Sequence, residues 1–319
     1  GRILSAGEGV QVVAASGRVT SVSDGRGDAF WDPGPHGGVI VKSFDPDGTL
    51  EYRRINGRWT RTFRWRIGPD YYSRISPDGL WMAYSRFRHG RQTTIAQVED
   101  QHGTVERFPL RGYAPVSWTP DGRVILDRRG GWVVWDPATG AVHPFLGHEA
   151  VADALDLPYE TEITLEDWLG VSWSADGRYF AVGAWWGRGR RYGQAILIGR
   201  SDGGVARVVP TNDWYGIPTW SPVRPELAYL QSGRHGRHHR LYVVDADTGR
   251  RTLVLDGAPD ADWAAWSPKG TWLLVADWRP SSRRWLFVSR HGRRSVSYPW
   301  LGNYPRWASP GGDVLMPVC

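Results

Sequence analysis

The stretch Trp118-Thr119-Pro120-Asp121-Gly122 is a tight turn, and the apolar run Val124-Ile125-Leu126 follows it. Related turns recur every 42 to 55 residues, each before a short apolar strand. The copies are Ser76-Pro77-Asp78-Gly79, Ser174-Ala175-Asp176-Gly177, Ser221-Pro222-Val223, Ser267-Pro268-Lys269-Gly270 and Ser309-Pro310-Gly311-Gly312. A repeat of this length, made of strands and tight turns, predicts a β-propeller.

The composition agrees with such a repeat. The 319 residues include 40 Gly and 22 Pro, as many turns require, and also 20 Trp and 13 Tyr. Large aromatic rings fill the gaps between stacked sheets, so we interpret most of them as core residues. Length alone favours two domains, but the repeat takes up the whole chain and predicts one domain, residues 1–319.

We interpret each repeat as four strands, A to D, with the turn motif between A and B. In the repeat at 71–112 the strands are expected at 72–75, 81–85, 93–98 and 104–109, with a basic loop at 86–91. Residues 28–66 look like a degenerate repeat, whose hairpin turns at Asn56-Gly57. The predicted complete blades are 28–66, 71–112, 113–147, 169–210, 215–258 and 262–300.

The two ends of the chain complete the predicted ring. Residues 304–317 supply an A and a B strand, while residues 10–15 and 19–22 supply a C and a D strand. Pairing 304–319 with 5–23 leaves no exposed sheet edge between the first and last blades. The predicted fold is therefore all-β, a seven-bladed β-propeller closed by N-terminal strands that pair with C-terminal strands.

In a propeller the A–B and C–D turns lie on one face, and this face is rich in acidic residues. Asp is a common turn former, so we expect these carboxylates to stabilise turns rather than bind a ligand. The set is Asp78, Asp121, Asp136, Asp176, Asp202, Glu226, Asp245, Asp247 and Asp313.

The D–A loops carry a different pattern, an acid or amide beside an aromatic ring just before strand A. Strand A is innermost, so these positions converge on the mouth of the central channel, where they suit a sugar, a cationic group or a peptide terminus. The alternative is that the rings pack blade against blade and the acids cap loops. The predicted ligand-binding residues are Asp70, Tyr71, Tyr113, Asp167, Trp168, Asp213, Trp214, Tyr215, Asp262, Trp263, Asn303 and Tyr304.

The B–C loops on the same face are basic in five consecutive repeats. A ring of guanidinium groups would attract phosphate or carboxylate groups of a partner; the alternative is a solvated rim with no partner. Nucleic acid is not expected, because no recognition helix or RNA-binding motif is present. The predicted anion- or partner-binding residues are Arg88, Arg91, Arg188, Arg190, Arg237 and Arg283.

One D–A connection, residues 148–168, is longer than the others. Residues 151–155 are expected to form one or two helical turns, and Glu160, Glu162, Glu166 and Asp167 follow. Long loops of this kind are often functional, so a lid or a docking surface is possible. We expect Trp185-Trp186, in the next B–C loop, to be exposed nearby.

The turn motif resembles the TolB-type propeller repeat, in which W-S-P-D-G precedes an apolar strand. Trp118-Thr119-Pro120-Asp121-Gly122 and Trp173-Ser174-Ala175-Asp176-Gly177 carry the resemblance, and Trp220 and Trp266 begin partial copies. The WD-repeat pattern is echoed only once, at Trp135-Asp136. The resemblance implies the fold but no single function, since such repeats occur in periplasmic adaptors and in propellers of prolyl-oligopeptidase-like peptidases.

Signals for an enzyme or a cofactor are weak. The sequence contains no G-x-S-x-G, H-E-x-x-H or P-loop motif. His235, His238 and His239 alternate with arginines, whose charge opposes metal binding, so neither a metal nor another cofactor is expected. The leading prediction is a non-catalytic binding propeller that recognises a peptide, protein or glycan through the D–A/B–C face. The alternative is a small-molecule lyase, hydrolase or cyclase that uses carboxylates at the channel mouth.

The remaining expectations concern the protein's surroundings. The net charge is +6, and Cys319 is the one cysteine, so no disulfide forms within the chain. No run of 18 apolar residues predicts a membrane span. The start at Gly1 without Met favours a mature exported form or an excised domain. We therefore expect an extracytoplasmic monomer, with a cytoplasmic location as the alternative.

Overall fold

The computed structural model describes three short N-terminal segments and most of the repeats. The described residues are 2–5, 10–14, 19–23, 28–31, 39–44, 49–56, 59–66, 73–76, 81–88, 91–99, 105–111, 113–128, 131–165, 171–188, 191–211, 218–232, 239–258, 264–267, 269–277, 284–292, 295–299, 306–307 and 314–315.

The described elements are mostly short strands. The first seven are β1 (Arg2–Ser5), β2 (Val10–Ala14), β3 (Val19–Ser23), β4 (Asp28–Trp31), β5 (Val39–Phe44), β6 (Thr49–Asn56) and β7 (Trp59–Arg66). The next eight are β8 (Ser73–Ile75), β9 (Trp81–Arg88), β10 (Arg91–Glu99), β11 (Val105–Arg111), β12 (Ala114–Trp118), β13 (Val124–Arg128), β14 (Gly131–Trp135) and β15 (Val142–Gly147).

The helix α1 (His148–Leu155) opens the second half of the chain. The strands that follow are β16 (Ile163–Leu165), β17 (Ser172–Trp173), β18 (Tyr179–Arg188), β19 (Arg191–Arg200), β20 (Val205–Thr211), β21 (Thr219–Trp220), β22 (Glu226–Gln231), β23 (His239–Asp245) and β24 (Arg251–Ala258). The last six are β25 (Ala264–Trp266), β26 (Trp272–Asp277), β27 (Arg284–Ser289), β28 (Ser295–Pro299), β29 (Arg306–Trp307) and β30 (Val314–Leu315).

Within the described ranges the strands form seven antiparallel sheets. Six are meanders of consecutive strands, β4–β7, β8–β11, β12–β15, β17–β20 with β16 added, β21–β24 and β25–β28. The seventh has the order β3-β2-β1-β29-β30. The predicted hairpin in the first meander is confirmed, since Asn56 pairs with Trp59 across a two-residue loop.

The chain divides into two compact units. One contains residues 1–5, 12–19 and 148–319, and the other contains residues 6–11 and 20–147. Within each unit the first strands of successive sheets contact each other, β8 with β12 in one, and β17 with β21 and β21 with β25 in the other.

A buried hydroxyl organises each turn motif. The Thr119 hydroxyl accepts a hydrogen bond from the backbone N–H of Arg123 at 2.9 Å, and the Gly122 N–H donates to the Thr119 carbonyl at 3.0 Å. Ser76 and Ser174 accept in the same way from the first residue of strand B, at 2.9 and 3.0 Å. Because a buried polar group is costly without a partner, this bond explains why Ser or Thr begins the motif.

In three of the described repeats, the tryptophan before that hydroxyl joins its sheet to the one before it. The indole N–H of Trp118 donates to the carbonyl of Arg74 at 2.8 Å. Trp220 donates to the Ser172 carbonyl and Trp266 to the Thr219 carbonyl, each at 3.0 Å. In all three cases the acceptor lies two residues before the Ser of the preceding motif. We call this contact the indole–carbonyl bond.

Apolar side chains fill the space between adjacent sheets. Leu230, Leu241 and Val243 of the sheet β21–β24 pack in one cluster with Leu273 and Val275 of the sheet β25–β28. The opposite face of β21–β24 forms a second cluster with the sheet β17–β20, and Ala83 of β9 packs with Trp118 and Val124 of the next sheet in a third. Both faces of an internal sheet are therefore buried, which explains the nearly continuous burial of its central strands.

The prediction for the chain ends was wrong in one respect. Strand β1 was missed, and it lies between β2 and β29, so Ile3 pairs with Trp307. The C-terminal strands therefore do not pair directly with residues 10–15. A four-residue strand with two apolar side chains, Ile3 and Leu4, carries too short a pattern to be distinguished from a loop.

Replacing Trp266 by Phe tests the indole–carbonyl bond. The substitution removes the donor, leaves the Thr219 carbonyl without it, and opens a small gap in a buried position. We expect the free energy of unfolding to fall by about 2 kcal/mol. Urea unfolding measures this loss. Trp186→Phe, at a half-buried ring, is the control, and an equal loss there would contradict a special role for the bond.

Replacing Gly292 by Ala tests the contact between the β27–β28 turn and the preceding sheet. Gly292 has φ of +71°, and a Cβ there would lie 2.5 Å from the backbone oxygen of Val254 in β24. Gly140 has a similar φ of +74° with open space around it. We expect Gly292→Ala to cost about 1–3 kcal/mol more than Gly140→Ala, because both are strained but only the first clashes. Equal unfolding free energies would rule out the clash.

Candidate functional site

Most of the residues predicted to bind a ligand lie outside the described residues. This holds for Asp70, Tyr71, Asp167, Trp168, Asp213, Trp214, Tyr215, Asp262, Trp263, Asn303 and Tyr304. Of the predicted arginines, Arg190, Arg237 and Arg283 also lie outside. The roles of these residues stay predictions. The structure shows the described residues that flank them in the chain.

Tyr113 is the described member of the aromatic set, and it is half-buried just before β12. Its ring packs against the apolar cluster formed by Ala83, Trp118 and Val124. The guanidinium of Arg128 lies over the ring, 5.9 Å from its centroid. At this position, which lacks the acidic neighbour, the ring contacts apolar side chains of two sheets, and its role in binding stays a prediction.

Two of the basic B–C connections are shorter than predicted. Strand β9 continues to Arg88 and β10 begins at Arg91, and these two residues pair across a two-residue hairpin loop. Arg188 and Arg191 pair in the same way at the end of β18. Assigning Arg88, Arg91 and Arg188 to loops was therefore wrong, since they lie at strand ends. The apolar alternation in the sequence weakens before the strand stops, so the predicted strand ended too early.

The long connection 148–168 is partly absorbed into a sheet. Residues 148–155 form α1, which contains the predicted helical turns and buries Val151 and Ala152. Strand β16 then pairs with β18, placing Ile163 opposite Trp186 and Leu165 opposite Ala184. Trp185 and Trp186 were expected in an exposed loop, but they are half-buried in β18. The exposed part of this connection includes Tyr159, whose hydroxyl donates to Asp153 at 2.8 Å.

The acidic turn residues within the described ranges make structural hydrogen bonds. Asp136 accepts from the N–H of Ala138 at 2.9 Å, and Asp202 accepts from the N–H of Gly204 at 2.9 Å. Asp245 accepts from the N–H of Thr248 at 2.8 Å. Asp121 pairs with Arg123 at 2.7 Å. These bonds agree with the turn-forming role expected from the sequence.

Asp247 connects two neighbouring sheets at this end. It accepts from the hydroxyl of Tyr179 at 2.7 Å and from the guanidinium of Arg178 at 3.1 and 3.3 Å. The hydrogen bonds from Tyr179 and Arg178 lower the pKa of the Asp247 carboxyl. Partial burial raises the pKa of Asp176, but its bonds to Ser174 and Arg178 outweigh burial and lower it overall. Both carboxylates are thus held ionised beside Arg178.

Glu226 makes the corresponding contact one sheet further on. It is buried at the start of β22, and Nε of Arg290 donates to its Oε2 at 2.6 Å while Nη2 bonds to its Oε1. Arg290 belongs to the turn between β27 and β28. Burial raises the pKa of Glu226, and the nearby charges of Arg224 and Arg250 oppose that rise. Sequence reasoning grouped Glu226 with the turn formers and missed this buried ion pair.

The described charged side chains at the A–B/C–D end therefore stabilise the fold. Its described carboxylates are bound by arginines, hydroxyls or backbone N–H groups, and Asp176 and Asp247 share Arg178. In the described part of the chain no three His, Cys, Asp or Glu residues are grouped to hold a metal ion. No helix in the described ranges is long and apolar enough to cross a membrane.

Comparison with known proteins gives structural likeness at low sequence identity. No family model matches the chain. TolB from Acinetobacter baumannii is 16% identical over 99% of this chain and 82% of its own, with a TM-score of 0.43. A candidate 6-phosphogluconolactonase from Bacteroides fragilis is 14% identical over 93% of this chain and 95% of its own, with a TM-score of 0.51. Dipeptidyl peptidase 4 from Porphyromonas gingivalis is 13% identical over 84% of this chain and 48% of its own, with a TM-score of 0.52.

The last two likenesses bear on the fold. Both known proteins contain β-propellers, and their TM-scores exceed 0.5 over most of this chain. Identities near 14% say nothing about a shared activity. Together with the consecutive four-stranded meanders and the indole–carbonyl bonds between them, they lead to one conclusion: the chain has a β-propeller fold of the kind that the TolB-type repeat predicted.

Proposed function

We propose that the protein is a non-catalytic binding propeller that recognises a peptide, protein or glycan through its D–A/B–C face. The strongest support is that the opposite face, formed by the A–B and C–D turns, stabilises the fold. The described acids of the A–B and C–D turns are engaged in turn bonds and in ion pairs between sheets. A partner is therefore better accommodated by the loops at the other end.

The connection 148–165 adds to that surface. It carries five acidic side chains and no Lys or Arg, in a chain whose net charge is +6. Tyr192, at the adjoining β18–β19 hairpin, is 72% exposed, and Tyr159 is 67% exposed. Exposed tyrosines beside charged groups are typical of surfaces that bind proteins or sugars.

We further propose that the seven sheets are seven blades of one closed ring and that residues 1–319 form a single domain. The pairing of Ile3 in β1 with Trp307 in β29 supports closure, since one blade then contains strands from both ends. The extracytoplasmic location and the monomeric state expected from the sequence remain predictions. The small-molecule enzyme that uses carboxylates at the channel mouth, the alternative from the sequence, stays the second candidate.

Ring closure is tested by replacing residues 1–22 with a Gly/Ser segment of equal length. The replacement removes three strands of the shared sheet while leaving the chain length unchanged. We expect the unfolding temperature of the whole protein to fall by about 5 °C or more, because an opened ring exposes sheet edges and apolar surface. An unchanged temperature in differential scanning calorimetry would contradict closure.

The binding face is tested with Asp213→Asn and Asp262→Asn, compared with Asp136→Asn at the opposite end. A panel of soluble oligosaccharides and short peptides is screened by calorimetry. At least one probe should bind the wild type, and its affinity should fall about tenfold in the first two variants because a charged hydrogen-bond acceptor is lost.

Asp136→Asn serves as the control and should bind normally. Equal affinity in all three variants would exclude Asp213 and Asp262 from the site. Turnover of a probe, detected as new product by mass spectrometry, would favour the enzyme over the binding protein.

A further inference from the structure

A polar cluster lies on the face of the sheet β21–β24 that packs against the sheet β17–β20. Tyr229 and Tyr242 are cross-strand partners with ring centroids 5.6 Å apart. The Arg251 guanidinium carbon lies 3.5 Å from the centroid of Tyr242 and 5.3 Å from that of Tyr229. Nη2 of Arg251 also donates to the side-chain oxygen of Gln231. We call these four residues the tyrosine–arginine cluster.

The facing sheet contributes a hydroxyl to the same region. Thr211 pairs with Gln194 in register, and Gln194 pairs with Trp185. Trp185 packs against the apolar cluster that contains Tyr229. Side chains directly opposite on neighbouring strands share one face, so Thr211 is on the face of β17–β20 that looks toward Tyr229.

Two hydroxyls in this region are buried, and neither has an acceptor for its proton among the described residues. They are Oγ1 of Thr211 and the phenolic oxygen of Tyr229, in residues that are 5% and 1% exposed. An unsatisfied buried polar atom is unfavourable, and two in facing sheets indicate a space meant for a polar group. Burial raises the pKa of Tyr229 while the nearby charge of Arg251 opposes the rise, so the phenol stays protonated and can donate.

The charge of the region favours an anion over a neutral molecule. Among the described residues, no carboxylate lies within ion-pair distance of Arg251. Gln231 and the two rings hold its guanidinium in a fixed position. A fixed guanidinium with two hydroxyl donors matches the hydrogen-bonding demand of a carboxylate or phosphate oxygen.

We propose that the tyrosine–arginine cluster, together with Thr211, binds a small oxyanion between the two sheets. The oxyanion accepts hydrogen bonds from Tyr229 and Thr211 and pairs with Arg251. None of these residues is among those proposed to bind the partner.

Thermal unfolding of the full chain is followed while sodium acetate or sodium phosphate replaces sodium chloride at constant ionic strength. We expect one of the two anions to raise the unfolding temperature in a saturable way, and the one that does so identifies a carboxylate or a phosphate as the preferred group. Tyr229→Phe should weaken the apparent affinity about tenfold, because one charged hydrogen bond is lost. Tyr179→Phe, which removes a hydroxyl that bonds to Asp247 instead, should leave it unchanged.

The proposal is wrong if neither anion stabilises the protein more than chloride does. It is also wrong if Tyr229→Phe keeps the wild-type affinity, in which case the two hydroxyls hold water only. If Tyr229→Phe does not fold, the anion affinity of Thr211→Val is measured instead. A weakened affinity supports the proposal, and the wild-type affinity contradicts it.

Discussion

The indole–carbonyl bond is the constraint on which the arrangement of the sheets depends. A sheet with two apolar faces can slide against its neighbour, because apolar contacts have little directionality. The bonds from Trp220 to Ser172 and from Trp266 to Thr219 fix how far the first strand of one sheet is shifted along the first strand of the preceding sheet. The ring that donates the bond is also part of the buried core, so one residue both fills the space and fixes the alignment.

A second set of contacts acts at the turn end of the same sheets. Arg178 reaches Asp247, and Arg290 reaches Glu226, so that each bond joins an A–B turn to the C–D turn of the following sheet. The buried Ser or Thr hydroxyl holds the A–B turn in the position that these contacts need. Charges used in this way are poorly placed for a ligand, since each already has a partner.

The sequence was informative where a pattern is local. The spacing of the turns, the Asn56-Gly57 hairpin and the helical turns in 151–155 all depend on residues near each other in the chain. It was less informative where the partner is distant. The indole of Trp266 bonds to a carbonyl 47 residues earlier, and Glu226 pairs with Arg290 64 residues later. Neither Thr219 nor Glu226, the two acceptors, is a residue type that predicts such a contact from the sequence.

The same limit applies to the candidate site. Arg88 and Arg188 were placed in loops because hydropathy marks where a strand leaves the core rather than where it ends. Strand β16 was not foreseen, since its three residues become a strand only by pairing with β18. Tyr229 and Thr211 carry no sequence signal at all, as a buried hydroxyl without an acceptor is visible only once both sheets are in place.

The acceptor of each indole N–H is a main-chain oxygen, and the residues that supply it are as different as Arg74, Ser172 and Thr219. A peptide carbonyl is offered by every amino acid, so the side chain at that position is free to change without breaking the bond. Repeats joined in this manner can diverge by mutation, or be duplicated and exchanged, while still fitting beside an unrelated neighbour. This tolerance accounts for a chain in which the turn signature persists while the remainder of each repeat differs.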